Sequence, residues 1–284
     1  MIIKNNISLK QLTTICIGGN AKRIIFPECL NDIINIKDII VLPKTLILGK
    51  GSNIAFKDDG YKSDIISLKY YKNDSIKLYD DKYISVSSNI SCSRFAKYCY
   101  KRSIPGFEFL HGIPGSIGGA LAMNAGAFKQ EIWDHVNSVN FINKEGLPEE
   151  LPRAHIKTSY RRVYKEKIVL FLNVVFLINS RIKFNKNILE NYSKQRTQSQ
   201  PVRQKSSGCI FKNPSIKKSA SELIDSSNIL SRKIGGIYIS QKHCNYFIND
   251  GTGTCKDLEM LINKVKKVVK NKYNIILNKE ICIY

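Results

Sequence analysis

Short apolar runs alternate with turn residues through the first seventy positions. Ile24-Ile25-Phe26 stops at Pro27, Thr45-Leu46-Ile47-Leu48 runs into Gly49-Lys50-Gly51-Ser52-Asn53, and Ile65-Ile66-Ser67-Leu68 follows Gly60. Runs of this length, bounded by Gly and Pro, predict the strands of a small α/β unit. A second unit is predicted to start at Tyr83-Ile84-Ser85-Val86. Beyond it Ser91 can cap a helix in which Cys92, Phe95, Ala96 and Cys99 recur at spacings of three and four. That single apolar stripe makes Cys92 and Cys99 core residues. The longest apolar stretch, residues 168–178, is broken by Asn173 and is too short to span a bilayer, so it predicts a buried strand.

Residues 181–206 are polar and basic, with Pro201 near their end. They set the expected boundary: one domain over 1–182, split into two subdomains near 70, and a second over 183–284. In the last third Thr254 with Asp257 forms a capping-box-like start. Leu258, Leu261, Ile262, Val265, Val268 and Val269 then mark one face of a long helix, and Lys264, Lys266, Lys267 and Lys270 fall mostly on the other. Such a lysine run reads as a solvated helix face.

Composition narrows the class. Of 284 residues, 43% are hydrophobic, enough for a real core, which excludes a disordered or fibrous chain. Lys plus Arg number 45 against 23 Asp plus Glu, a net charge of +22. Such a surface attracts nucleic acid, anionic membrane or phosphorylated ligands. The basic residues are spread among Ile and Asn rather than gathered in a tail, and no nucleic-acid module or zinc spacing accompanies them. They read as a compositional bias, and no nucleic-acid partner is expected. With four His and no ligand cluster around His243, no metal is expected either. The eight cysteines form no C-x-x-C pair, and residues 1–6 lack the apolar core of a secretory signal. Free thiols in a reducing cytoplasm are the expectation.

Two glycine-rich loops offer chemistry. Gly49, Lys50, Gly51, Ser52 and Asn53 follow a strand directly, and such a loop can cradle phosphate with backbone N–H groups. The spacing is not that of a Walker loop, and a tight turn explains it as well. The second loop runs Gly112-Ile113-Pro114-Gly115-Ser116-Ile117-Gly118-Gly119-Ala120-Leu121-Ala122-Met123-Asn124-Ala125-Gly126-Ala127. Small residues at this density admit a large ligand against the main chain, but close helix–strand packing needs them too. The dinucleotide G-x-G-x-x-G spacing is missing, so a Rossmann fold is a poor reading.

Together these loops carry a resemblance. Residues 12–21 (LTTICIGGNA), 48–53 (LGKGSN), 106–127 (GFEFLHGIPGSIGGALAMNAGA), Ser159-Tyr160-Arg161 and 207–214 (SGCIFKNP) occur in the order found in the UDP-N-acetylenolpyruvoylglucosamine reductase (MurB) family of bacterial cell-wall synthesis. A weaker sixth match spans 235–249, ending His243-Cys244-Asn245-Tyr246-Phe247-Ile248-Asn249. The chain resembles the compact second type of that family over essentially its whole length.

The resemblance implies an α+β flavoenzyme. Two α/β subdomains would form the FAD-binding fold shared with p-cresol methylhydroxylase and vanillyl-alcohol oxidase, and a C-terminal α+β domain would bind substrate. It implies tightly bound FAD, NADPH as co-substrate, a UDP-sugar substrate, a cytoplasmic monomer and no membrane insertion. Both glycine loops would hold the FAD pyrophosphate and ribityl chain. Hydride would pass from NADPH through FAD to the vinyl carbon of the enolpyruvyl ether, and the neighbouring enolate carbon would then take a proton.

By the same resemblance Arg161 matches the catalytic arginine, whose guanidinium suits a carboxylate and a doubly charged enolate. Glu280, after the apolar residues 275–277, matches the C-terminal catalytic glutamate. Cys209 stands where many members carry the proton-donating serine. A thiol is the stronger acid, at a pKa of about 8.5, but it donates only if the site keeps it protonated. Tyr160, Lys212, Asn213 and His243 fall at or beside substrate-contacting positions, and Arg196, Gln200 and Arg203 precede the SGCIFKNP segment. Two rival readings stand beside this one: another flavin oxidoreductase of the same fold, and a basic nucleic-acid-binding protein.

Overall fold

The computed structural model describes residues 1–73, 75–164, 166–215 and 218–284. The chain divides into two units, each drawn from several stretches. The first comprises Met1–Lys4, Arg23–Lys50 and Ser63–Gln195; the second comprises Asn5–Lys22, Gly51–Lys62 and Arg196–Tyr284.

The first unit is built on a five-stranded antiparallel sheet. Its order is Pro148–Pro152, Val136–Ile142, Leu170–Leu177, Tyr83–Ser87, Ile76–Tyr79. The central strand Leu170–Leu177 is the apolar run expected to be buried. Its pairing passes from Asn140↔Asn173 to Phe141↔Phe171, skipping Leu172. This bulge resets the alternation of side chains. Phe171, Val174 and Phe176 therefore all join one core, while Leu170 and Leu172 join another with Ile25, Ile33 and Ile66.

The helix Cys92–Lys101 buries the predicted stripe of Cys92, Phe95, Ala96 and Cys99, and Ser91 caps it by accepting the Arg94 N–H at 3.2 Å. Phe95 stacks on Phe176 at 5.2 Å and meets Phe107 edge-on at 5.0 Å. Burial pushes the Cys92 thiol up to about 12, and raises that of Cys99 as well. Both are inert packing groups. The helix Ile188–Ser199 lies in the polar and basic stretch 181–206, and none of its residues is buried.

The second unit packs around the helix Cys255–Tyr273, whose buried face of Leu258, Leu261, Ile262, Val265 and Val269 follows the predicted pattern. The Thr254–Asp257 capping box is present. A second anchor is nonlocal: the Asp58 carboxylate accepts the N–H groups of Cys255 at 2.8 Å and Lys256 at 3.0 Å. A carboxylate there satisfies orphan amides and opposes the positive helix end. Strands Lys233–Ile234, Ile237–Ile239 and Phe247–Asn249 pair antiparallel, and Cys282–Ile283 runs parallel to Ile54–Ala55.

Candidate active site

In the first unit Arg161 occupies the tip of the hairpin formed by Thr158–Ser159 and Arg162–Val163. Its φ of 54° lies in the left-handed region that glycine favours. A bulky residue keeps such a conformation only where its surroundings hold it. Here the guanidinium donates to Asn124 O at 3.3 Å and Gly126 O at 2.8 Å, and lies over the exposed Tyr160 ring at 5.0 Å. The Asn124 amide in turn donates to Glu131 Oε2 at 2.6 Å and Ser159 O at 3.1 Å. Arg161 is thus aimed by the main chain of the second glycine-rich segment.

That segment does two jobs. The amides of Ile117 and Gly118 donate to Ile90 O and Ser88 O, both at 2.8 Å, and Gly119 donates to Ser116 Oγ. A Cβ on Gly118 would lie 2.9 Å from Ser88 Cβ. Gly115 O accepts the Cys92 N–H, and Gly126 and Ala127 pair with Glu131 and Gln130. Close packing therefore accounts for Gly118 and for several amides that the composition alone could equally give to a ligand. Gly112 and Ile113 are half-buried, and Pro114 and Lys50 are exposed. A Cβ on Gly49 would come within 3.1 Å of Ser116 Oγ, so the first loop reaches the second at that point.

Three buried acceptors in this unit, Asn89 Oδ1, Asn124 Oδ1 and Gln130 Oε1, have no hydrogen-bond partner in the protein. Orphaned acceptors are costly. A group bearing hydroxyl and ring N–H donors, such as a flavin dinucleotide, would satisfy them. The residues present fit FAD. Asn89 and Gln130 carried no sequence signal for this, because nothing local marks an acceptor as unpaired.

In the second unit Gly51 is small for a different reason. A Cβ there would lie 1.9 Å from Leu12 O, and Gly51 O accepts the Thr14 N–H at 3.0 Å. The LTTICIGGNA and LGKGSN segments are thereby joined. Ser52 is half-buried. Asn53 donates from its side-chain amide to Glu280 O at 3.0 Å, and its own carbonyl accepts the Cys282 N–H at 3.1 Å.

Cys209 and Glu280 sit on one small hydrogen-bonded array. Cys209 bridges Tyr246, Phe211 bridges Lys279, and Glu280 N–H donates to Ile210 O at 2.8 Å. Asn245, almost fully buried, fastens the middle segment: its Oδ1 accepts the Phe211 N–H at 2.9 Å and its Nδ2 donates to Phe211 O at 2.8 Å. Both the Cys209 and Glu280 side chains are half-buried. Beside them, a Cβ on Gly208 would meet no atom within 4 Å.

Lys212 is half-buried and donates its N–H to Asn278 O, while exposed Asn213 accepts the Ala220 N–H at 3.0 Å. The His243 ring meets that of Tyr246 edge-on at 4.8 Å, and His243 Nδ1 is buried without a partner, as is Ser207 Oγ. Burial lowers the His243 pKa, so the imidazole is held neutral. Burial raises the Tyr246 pKa, and the phenol remains protonated. Asn245 and Tyr246 belong to the weak sixth match but drew no role from the sequence; only the fold reveals what lies opposite them. Asn249 is likewise structural, donating to Ile15 O and Cys16 O and accepting from Gly251 and Gly253.

Among the described residues no group of three or more His, Cys, Asp or Glu is placed to hold a metal ion, and no helix is long and apolar enough to cross a membrane.

Comparison with known proteins gives two family matches. Residues 200–284 match "UDP-N-acetylenolpyruvoylglucosamine reductase, C-terminal domain", and residues 21–151 match "FAD binding domain". The chain is 35% identical to the UDP-N-acetylenolpyruvoylglucosamine reductase of Wolbachia sp. subsp. Drosophila simulans (strain wRi), covering 99% of this chain and 95% of the relative. It is 36% identical to that of Rickettsia rickettsii (strain Sheila Smith), covering 94% and 90%. The fold also matches a crystal structure of UDP-N-acetylenolpyruvylglucosamine reductase from Thermus caldophilus, with a TM-score of 0.82, 24% identity, and coverage of 100% and 99%.

Proposed function

The chain belongs to the UDP-N-acetylenolpyruvoylglucosamine reductase family, and on that footing we propose how its own residues divide the work of the reaction. It is an FAD-dependent oxidoreductase of peptidoglycan precursor synthesis that uses NADPH and acts on a UDP-sugar. When bound, FAD supplies hydride carriage from NADPH to the enolpyruvyl carbon.

Residues 1–182, in two subdomains split near 70, form the flavin-binding part in our reading, and 183–284 the substrate part. Gly49, Lys50, Gly51, Ser52 and Asn53 serve the cofactor, together with Gly112, Ile113, Pro114, Gly115, Ser116, Gly118, Gly119, Asn124, Gly126 and Ala127. Within this set Gly51, Asn53 and Gly118 act by holding the main chain, because their contacts are to the protein itself.

Arg161 stabilises the negative charge that develops on the enolate and its carboxylate. A guanidinium already oriented by two carbonyls needs little reorganisation to do so. Cys209 gives the proton to the enolate carbon. Glu280, whose N–H is tied to Ile210 O, bears on the same protonation step as a second acidic group. Tyr160, Lys212, Asn213 and His243 bind the sugar nucleotide. The +22 charge is surface composition with no nucleic-acid partner, and the enzyme works as a cytoplasmic monomer.

The observation that carries this reading is the array binding the Cys209 and Glu280 segments, with Ile210 accepting from Glu280 N–H and Asn245 clasping Phe211. Anaerobic reduction of the purified flavoprotein by NADPH, followed by UDP-N-acetylenolpyruvoylglucosamine, tests it. Reoxidation of the flavin on adding the sugar nucleotide supports it; a reduced flavin that persists refutes it.

A further inference from the structure

A proton-donating thiol poses a physical difficulty. Once the proton has left, a thiolate remains in a partly desolvated place, and a positive neighbour strong enough to stabilise it would also ionise it beforehand. The second unit holds a group without that drawback. Cys209 and Tyr246 are directly opposed across an antiparallel bridge, and the flanking bond from Ile210 N–H to Asn245 O makes them a non-hydrogen-bonded pair. In such a pair the Cα atoms lie about 4.5 Å apart, and both side chains leave the same face of the ribbon.

Their geometry is fixed from both sides. Asn245, next to Tyr246, clasps Phe211 through both its amide atoms, and the Tyr246 N–H donates to His243 O at 2.8 Å. The His243 ring packs against the phenol ring in an edge-on arrangement at 4.8 Å. The groups whose charges bear on the phenol are Cys209, Arg196 and Glu280, with Cys209 the strongest; neutral His243 completes its surroundings.

We propose that Tyr246 is the positioning residue of the protonation step, a neutral phenol that acts through Cys209 by stabilising the thiolate left after proton transfer. The proposal rests on Cys209 being the donor. Burial, the largest influence on it, keeps the phenol from ionising against the opposing charge of Arg196, so it offers a neutral donor that does not strip the thiol in advance.

Tyr246→Phe removes only the oxygen, and its thermal midpoint checks that the fold is intact. Alkylation of Cys209 by iodoacetamide, followed by peptide mass spectrometry across pH, reads the thiol acidity directly. The midpoint should rise by about one pH unit, a tenfold loss of acidity. Flavin reoxidation by the sugar nucleotide should slow about tenfold with no change in reduction by NADPH. In the Cys209→Ala background the same substitution should have no further effect. An unchanged alkylation midpoint in a folded Tyr246→Phe protein overturns the role of Tyr246. Full activity in Cys209→Ala instead overturns the donor assignment beneath it.

Discussion

The side-chain amide of Asn53 donates to the carbonyl oxygen of Glu280 at 3.0 Å, across 227 positions of sequence. A residue of the first glycine-rich loop thus fixes the backbone from which the C-terminal glutamate projects. The neighbouring Cys282 N–H to Asn53 O bond involves only main chain and survives any substitution that keeps the fold. Asn53→Ala should therefore leave the strand pairing in place and release Glu280. We expect a loss of about 1 kcal/mol in urea unfolding, and slower flavin reoxidation by the sugar nucleotide with unchanged reduction by NADPH. Equal slowing of both half-reactions would show that the Asn53 side chain contacts the cofactor directly rather than holding the Glu280 backbone.

Arg161 combines a left-handed backbone with two carbonyl anchors. Lysine keeps the charge but lacks the planar fork that reaches both Asn124 O and Gly126 O. Arg161→Lys should slow flavin reoxidation by about 10²-fold, the scale of losing one preorganised charge-stabilising donor set, and leave NADPH-dependent reduction intact. Single-turnover rates separate the two steps, and reoxidation within a few-fold of the parent would remove Arg161 from the charge-stabilising role.

Asp58 caps the helix Cys255–Tyr273 from a distant stretch of chain. Asp58→Ala leaves the local Thr254–Asp257 box in place but orphans two amides. The expected cost is about 0.5–2 kcal/mol, measured by urea unfolding, with no effect on either half-reaction beyond that of reduced stability.

Burial holds the imidazoles of His135 and His243 below their ordinary value of 6.5. In the unfolded chain both take up a proton near pH 6.5, and in the folded chain only at lower pH. Below the unfolded value the unfolded state therefore binds more protons, so stability rises with pH there and falls as acid is added. Urea midpoints should drop between pH 7 and pH 5.5, and the drop should be smaller in a His135→Gln, His243→Gln protein. An unchanged pH slope in that variant would contradict the assignment.

Elements with a local signature were legible in the sequence. The stripe from Cys92 to Cys99, the Thr254–Asp257 box and the apolar strand before Ile178 all carry their periodicity or capping chemistry within a few residues, and all are present. The strand Ile2–Ser8 was not legible, because Ile-Ile-Lys-Asn-Asn-Ile-Ser lacks clean alternation. Nor was the helix Ile188–Ser199, which buries no apolar face. The assembly of residues 5–22 and 51–62 with the C-terminal stretch depends on nonlocal pairing that no window of sequence contains.

The site divides in the same way. Arg161, Cys209 and Glu280 were marked by the motifs around them, and the structure puts Cys209 and Glu280 on one array. Asn245 and Asp58 act on partners 34 and 197 positions away. An asparagine or aspartate in a loop has the same local appearance whether it clasps a distant strand or faces water. Gly118 and Gly51 show the converse: their neighbours suggested a ligand cradle, and their would-be Cβ atoms meet Ser88 and Leu12.

The most direct test follows the reduced flavin in stopped flow when the sugar nucleotide is added to Cys209→Ser and Cys209→Ala proteins. Proton donation by Cys209 requires that the serine protein turn over and that the alanine protein lose about 10²–10⁴-fold in reoxidation, with NADPH-dependent reduction unaltered in both. An alanine protein that reoxidises at the parental rate would contradict it.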